Sequence, residues 1–324
     1  MINHPGAIRG IGMDCNGRND IAKQTDAVYN VFDGKSFRVH EGEEYAVDET
    51  VNENLLNEQK YWATHVLGQY ITDKNPCLLY DGECKKRHGE KLSHPFYMGL
   101  SDEYIHCQGK KRVMIVGQEA RGFGEIDDGT AHYEFLGSQE VKPSSEQTNE
   151  PTYSQRWAIA YYENQVHGKD SIDFKIDPNP CPFWSLFRAI ENGGFVPCWN
   201  NLDKVYFGDL YRDGDEQKSL SEPAEVALSR QYARNGDSTP KSLLQREIEL
   251  AQPDIVLFVT GPKYAKSMEI AFGVSGQLNG RLNKDKKILK ITDTLSIGRP
   301  AFWTYHPANR LGIQSAKLFL DLFR

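Results

Sequence analysis

The sequence lacks a long hydrophobic run and an apolar leader. No stretch approaches the roughly 18 apolar residues that would predict a membrane span. The first ten residues, MINHPGAIRG, lack the apolar core of a signal peptide. We therefore expect a soluble, cytoplasmic protein with no membrane partner.

Cysteines are few and scattered, which argues against a disulfide framework in a chain of 324 residues. The spacing of Cys77 and Cys84 matches neither a zinc finger nor an iron–sulfur motif. Histidines near Cys77, Cys84 and Cys107 leave a zinc site open as an alternative. Free thiols in a reducing cytoplasm are the favoured interpretation, and we expect no metal and no cofactor.

The chain also lacks an excess of basic residues. Its net charge of −7 argues against a general nucleic-acid binder, although a local basic face remains possible. Such a stretch runs over residues 281–290 (RLNKDKKILK), with five basic residues and one acid. A solvated hairpin or turn is the simpler interpretation of this stretch, and phosphate contacts by Lys284 and Lys286 are the functional one.

Three common catalytic or phosphate-binding loop motifs are missing. Gly117 and Gly122 have the spacing of a phosphate-binding loop, but Phe123 stands where that loop needs lysine. The dinucleotide fingerprint G-x-G-x-x-G and the nucleophile elbow G-x-S-x-G are also absent. These absences disfavour nucleotide binding and serine hydrolysis.

The remaining pattern alternates apolar strands with amphipathic helices. The predicted strands are 113–116, 195–199, 255–260 and 302–305, and the predicted helices are 52–71, 154–165, 182–190, 243–251, 264–272 and 313–323. This alternation predicts an α/β fold with a central, mostly parallel β-sheet sandwiched between helices. Residues 1–109 are expected to form a partly helical N-terminal extension of unknown role, and residues 110–324 the α/β domain.

Polar residues follow directly after the predicted strands. They are Glu119, the pair Asn200 and Asn201, and His306. Ligands of parallel sheets bind at the carboxyl ends of strands, so these side chains are expected around one cleft. A carboxylate, an amide and an imidazole without a strong nucleophile suit cleavage of a bond to a sugar anomeric carbon. If the leaving group is a flipped base, an aromatic residue would stack on it and the amide would read its edge.

Five segments in order resemble the uracil-DNA glycosylase superfamily over residues 110–324. They are VMIVGQEARG, PFWSLFRAI, the Trp-Asn-Asn-Leu run at 199–202, PDIVLFVTGPKYA and TYHPANR. The resemblance implies that Glu119 is the catalytic acid and that His306 donates to the leaving base. The simpler alternatives are a helix cap or an ion pair with Arg121 for Glu119, and a turn residue for His306.

The resemblance also implies base-binding and DNA-binding residues. It assigns base contacts to Gln118, Tyr133, Phe135, Asn201 and Arg121, and DNA contacts to Arg310 and Leu311. The basic stretch adds Lys284 and Lys286 as DNA contacts. Asn201 would read the base, with Asn200 as the second choice, and Tyr133 or, as the alternate, Phe135 would stack on it. The simpler alternatives are a core position for Tyr133, an Asx-turn for Asn201 and a solvated helix start for Arg310.

Departures from the family pattern concern specificity. Arg121 stands where uracil-specific members carry an aromatic residue that excludes thymine. A larger or modified pyrimidine therefore stays a candidate substrate. Arg310 and Leu311 stand where an apolar wedge enters the minor groove, a role that arginine can fill differently. Ala120 replaces a proline of the first motif.

The sequence thus predicts a monomeric, monofunctional DNA base glycosylase that needs no cofactor. It would flip a pyrimidine from duplex or single-stranded DNA and leave an abasic site, in base-excision repair or in defence against phage DNA with modified bases. Two alternatives stay open: a non-catalytic nucleic-acid-binding protein, and a small-molecule nucleotide-binding enzyme on the same scaffold.

Overall fold

The computed structural model describes residues 47–67, 91–92, 96–107, 109–119, 159, 162–163, 165–168, 182–205, 207–208, 229–234, 236–309 and 315–322. The strands in these ranges are β1 (Lys91–Leu92), β2 (Lys111–Glu119), β3 (Phe195–Asp203), β4 (Phe207–Gly208), β5 (Ile255–Phe258), β6 (Ile288–Lys290) and β7 (Ala301–Thr304). The α-helices are α1 (Val51–His65), α2 (Asp102–Ile105), α3 (Pro182–Asn192), α4 (Leu243–Ala251), α5 (Ala265–Phe272) and α6 (Ser315–Asp321), with a 3₁₀ turn at Pro262–Tyr264.

The central sheet has five strands in the order β3-β2-β5-β7-β6. The first four are parallel, and β6 runs antiparallel to β7. Strands β1 and β4 form a separate antiparallel pair. The predicted α/β class and the mostly parallel sheet are therefore confirmed.

Helices cover both faces of the sheet. Side chains along each strand alternate between the two faces, and each face packs into its own hydrophobic core. Met114 and Val116 of β2 pack in one cluster with residues of α1, α4 and α5. Val113 and Ile115 pack in the other cluster, which includes Phe187 of α3 and residues of α6. The strands are nearly continuous apolar runs because both of their faces are buried.

The basic stretch at 281–290 was expected to be a hairpin or turn, and this holds only for its first part. Asn283 accepts hydrogen bonds from the backbone of Asp285 and Lys286 through its side chain. Residues 288–290 then form β6, which is an addition to the prediction. An edge strand of three residues flanked by lysines is a usual way to blunt the open side of a sheet.

Helix α4 shows how local sequence sets an element that matters for the site. Ser242 caps its start through a reciprocal capping box with Gln245. The helix ends at Gln252, whose φ of 47° is left-handed, and Pro253 follows. These boundaries place Glu247 in the middle of α4, facing the sheet and fully buried.

Helix α1 belongs to the same core as the α/β domain. Val51 and Leu55 lie in the cluster that contains Val116 and Leu244. Glu58 also forms ion pairs with Arg234 and with Arg246, the latter at 3.3 Å. The described part of the predicted N-terminal extension is thus packed against the sheet domain.

No helix within the described ranges has both the length and the apolar character needed to cross a membrane.

Candidate functional site

The carboxyl edge of the sheet brings several predicted residues together. The parallel register sets Gly117 beside Asn201 and Glu119 beside Asp203. Thr260 and Gly261 come after β5, and His306 comes after β7. The candidate site is built around this edge, on the face that α3 covers.

Asn200 and Asn201 are adjacent in sequence but serve opposite faces of β3. The Asn200 side chain points into the core on the α4 side, where its Nδ2 donates to Glu247 Oε2 at 3.0 Å. Its Oδ1 accepts from the backbone N–H of Asn201 at 2.7 Å. Asn200 is therefore a structural residue, and Asn201 is the asparagine at the site.

A buried ion pair packs against this end of β3 on the α4 side of the sheet. Lys204 Nζ lies 2.6 Å from Glu247 Oε2, and both side chains are almost fully buried. Gln59 Nε2 donates to the other carboxylate oxygen of Glu247 at 2.9 Å. Burial lowers the pKa of Lys204, and the attraction of Glu247 partly opposes this effect. Through Gln59 and Asn200, the pair links α1, β3 and α4 on the face of the sheet opposite the site.

Asn201 carries an unsatisfied donor. The indole N–H of Trp199 donates to Asn201 Oδ1 at 3.1 Å, and this contact fixes which way the amide faces. Asn201 Nδ2 is buried and meets no hydrogen-bond partner among the described residues. An unpaired buried donor costs about 1–3 kcal/mol, and an acceptor supplied by a ligand or by water would remove that cost.

Phe183 of α3 is the aromatic residue that the structure places at the site. Its ring lies parallel to the imidazole of His306, with centroids 5.9 Å apart and an interplanar angle of 11°. It also borders Gly117, where a Cβ would sit 3.3 Å from Phe183 Cε2 and only 2.6 Å from Asn201 Oδ1. Gly117 is needed because the amide and the ring both close over the strand at this point.

The backbone fixes the tautomer of His306. The N–H of Ala308 donates to His306 Nδ1 at 3.2 Å. In the neutral ring the proton then resides on Nε2, which becomes a hydrogen-bond donor. The turn after β5 lies beside this histidine and depends on Gly261, whose φ of +72° is left-handed. The Gly261 N–H donates to Thr304 O at 3.0 Å.

Gln118 and Glu119 end β2. Gln118 Nε2 donates to Thr260 O at 2.8 Å, which ties β2 to the loop after β5. Glu119 is the last residue of β2, in register with the buried Asp203. Its position at the carboxyl edge agrees with the predicted one, and its catalytic role stays a prediction.

The basic residues of the 281–290 stretch lie at the same edge. Lys284 and Lys286 are exposed in the turn before β6. Because β6 is antiparallel to β7, the start of β6 adjoins the end of β7, and Lys287 O accepts from Thr304 Oγ1 at 2.6 Å. The two exposed lysines are therefore on the side of the sheet where His306 emerges.

Several predicted residues lie outside the described residues: Arg121, Tyr133, Phe135, Arg310 and Leu311, together with Cys77 and Cys84. Phe183 was not predicted as a site residue. The sequence signal that could have found it is its place at the first turn of an aromatic-rich helix, directly after Pro182.

Comparison with family models, with curated proteins and with solved structures finds no match to this chain. Its function therefore has to be inferred from the geometry of the site.

Proposed function

We propose that this protein is a DNA base glycosylase with a uracil-DNA-glycosylase-like fold, which hydrolyses the N-glycosidic bond of a flipped pyrimidine. One observation carries the proposal. The unpaired Asn201 amide, the Phe183 ring and the tautomer-fixed His306 converge at the strand edge where Glu119 ends β2. These are a base-edge donor, an aromatic wall, a leaving-group donor and an acid.

The reaction needs two charges to be stabilised. As the bond between C1′ and the base nitrogen breaks, its electron pair moves to the base and the sugar becomes an oxocarbenium-like cation. His306 Nε2–H donates to the pyrimidine oxygen on which negative charge builds. Glu119 stabilises the cation and takes a proton from the water that attacks C1′. The base anion takes up a proton from solvent and Glu119 releases its own to solvent, so that the products are the free base and an abasic sugar.

Base recognition follows from the donor on Asn201. Its Nδ2–H would pair with an acceptor on the pyrimidine edge, which removes the cost of the unpaired group. Phe183 is proposed as an apolar wall of the base pocket, beside or in place of Tyr133 and Phe135. Arg121, in the place of the usual thymine-excluding aromatic, supports a modified or larger pyrimidine as well as uracil.

DNA binding would rest on a local basic rim rather than on overall charge. The net charge of −7 opposes non-specific binding, whereas Lys284 and Lys286 offer two exposed cations beside the site. Arg310 and Leu311 are the proposed wedge. Whether the role is repair or defence against modified phage DNA would follow from the base that is excised.

The test uses a panel of duplex and single-stranded oligonucleotides that carry uracil, a thymine mismatch or a modified cytosine. The protein is incubated with each one without added metal, and abasic sites are then cleaved with alkali. We expect breaks with at least one substrate, and their loss in Glu119→Ala and in His306→Ala. Glu53→Ala, which removes an exposed carboxylate of α1, is the matched control and should retain full activity.

Three results would contradict the proposal at different levels. The absence of breaks on every substrate would reject the glycosylase. Tight binding to one of them without cleavage would favour the non-catalytic nucleic-acid binder. Breaks that persist undiminished in both site variants would reject the assigned residues but not the activity.

A further inference from the structure

A second cluster of ligand-type side chains lies away from the proposed active site. His167 stands between two carboxylates, with Nδ1 2.8 Å from Glu163 Oε2 and Nε2 2.5 Å from Glu191 Oε1. Glu103 also approaches, so that Glu103, His167 and Glu191 each offer one ligand atom within 4.8 Å of the others. Among the described residues this is the group that combines imidazole and carboxylate ligands at such spacing.

The two ring nitrogens of His167 have different surroundings. Glu163, one helical turn before His167, engages Nδ1. Nε2 faces Glu191, and Glu103 offers a carboxylate oxygen within 4.8 Å of the ligand atoms of His167 and Glu191. Histidines that bind metals commonly give one nitrogen to the ion and hold the other on a carboxylate, which fixes the ring orientation. Glu163 is placed for that orienting role.

We propose that Glu103, His167 and Glu191 bind one divalent transition-metal ion, Zn²⁺ being the best match, and that Glu163 orients His167. Imidazole nitrogen favours Zn²⁺ over Mg²⁺ or Ca²⁺, which prefer all-oxygen sites. Zn²⁺ binds nitrogen and carboxylate oxygen at about 2.0–2.2 Å, so ligand atoms in a tetrahedron are about 3.4 Å apart. The observed separations, 2.5 Å between His167 Nε2 and Glu191 Oε1 and at most 4.8 Å within the group, bracket that spacing, and water would complete the tetrahedron.

The charge around the cluster favours a cation. Three carboxylates surround a single imidazole, and the side chains of His167 and Glu191 are only 18% and 22% exposed. Lys110 reaches Glu103 at 3.2 Å, but both groups are about half exposed, so this pair is strongly screened. Arg188 is nearby, yet it donates to the backbone carbonyls of Gln165 and Val166.

The position of the cluster indicates a structural role. Glu191 lies at the end of α3 and Phe183 at its start, eight residues or about 12 Å along the helix axis. The ion would join α2, the helical residues 162–163 and 165–167, and α3 near the amino end of β3. It would stabilise the wall behind the active site and take no part in the reaction.

The test is zinc binding by the full chain, which does not depend on any glycosylase activity. The protein is stripped with a chelator, and ZnCl₂ and MnCl₂ are titrated in separate calorimetry runs, with Tm measured in parallel. We expect one saturable Zn²⁺ site and a Tm that rises with zinc. Glu191→Gln and His167→Gln should abolish this site, and Glu163→Gln should weaken it by roughly 10–100-fold.

Two further variants keep the test decisive. Glu103→Gln changes an exposed side chain, so the variant should fold as the parent does and still lose zinc affinity. Cys107→Ser should bind zinc like the parent, because the proposed ligands include no thiol. Circular dichroism confirms the fold of each variant. Absence of a saturable site, unchanged affinity in folded Glu103→Gln and His167→Gln, or loss of binding in Cys107→Ser would each overturn the proposal.

Discussion

Removing Glu247 should destabilise the protein far more than an average substitution does. Its carboxylate is fully buried and accepts hydrogen bonds from Lys204, Asn200 and Gln59. Glu247→Leu removes the carboxylate from all three donors and leaves the Lys204 charge without its paired carboxylate. Gln59 Nε2 keeps Met98 O, and Lys204 Nζ keeps Asn200 Oδ1. Breaking a buried pair in this way costs about 3–5 kcal/mol, against a total stability of about 5–15 kcal/mol.

The lysine itself limits the loss. Burial already lowers the pKa of Lys204, so the unpaired side chain can shed its proton instead of remaining charged in the core. We therefore expect the lower end of that range, about 3 kcal/mol. The double variant Glu247→Leu/Lys204→Met removes both charges and should recover most of the lost stability, since apolar replacements of buried pairs are often neutral.

The assay is urea unfolding of the parent, both single variants and the double variant, analysed as a double-mutant cycle. A coupling free energy of about 2–3 kcal/mol is expected. Losses below about 1 kcal/mol for Glu247→Leu, or a double variant that merely sums the two single losses, would refute this account of the pair.

Four other predictions concern single residues. Asn201→Ala should reduce base release but change the unfolding free energy by less than about 1 kcal/mol, because removing an unpaired buried donor offsets the loss of the acceptor for the Trp199 indole N–H; a large loss of stability would contradict this. Gly117→Ala should impair base release and cost about 1–3 kcal/mol of stability by pressing on Asn201 and Phe183; full activity would refute the close approach. His306→Ala should slow single-turnover base release by about 10²–10³-fold; an unchanged rate would contradict its role as donor. In metal-free protein, hydrogen bonds to Glu163 and Glu191 raise the pKa of His167 from 6.5 to about 9, so the folded state keeps a proton that the unfolded state loses. Stability should therefore be full below pH 6.5 and fall by about 1–2 kcal/mol towards pH 9, and the same slope in His167→Gln would contradict this origin.

Much of the sheet could be predicted from the sequence because its strands are buried on both faces. The run Ile255–Phe258 is apolar at every position, and such runs between turn residues read as parallel strands. The placement of Glu119, Asn201 and His306 at one edge followed from the same pattern. Strand β6 was missed because its three residues follow a charged turn and carry no clear alternation.

The choice between Asn200 and Asn201 depended on contacts that are distant in sequence. Strand β3 continues beyond the predicted 195–199 and includes both asparagines, and only the burial of Glu247 on one side determines which amide faces the core on the α4 side. The role of Phe183 is similar, since its proximity to His306 arises from the packing of α3 across the end of the sheet. Local patterns predict elements, whereas the partners of these side chains come from the tertiary fold.

The central claim is tested most directly by measuring the free base. The protein is incubated with the substrate panel, and small molecules released from the DNA are quantified by mass spectrometry alongside abasic sites. The account predicts one free pyrimidine for each abasic site from at least one substrate, with both signals lost in Glu119→Ala and His306→Ala. No released base from any substrate, or release that is equal in those variants, would contradict it.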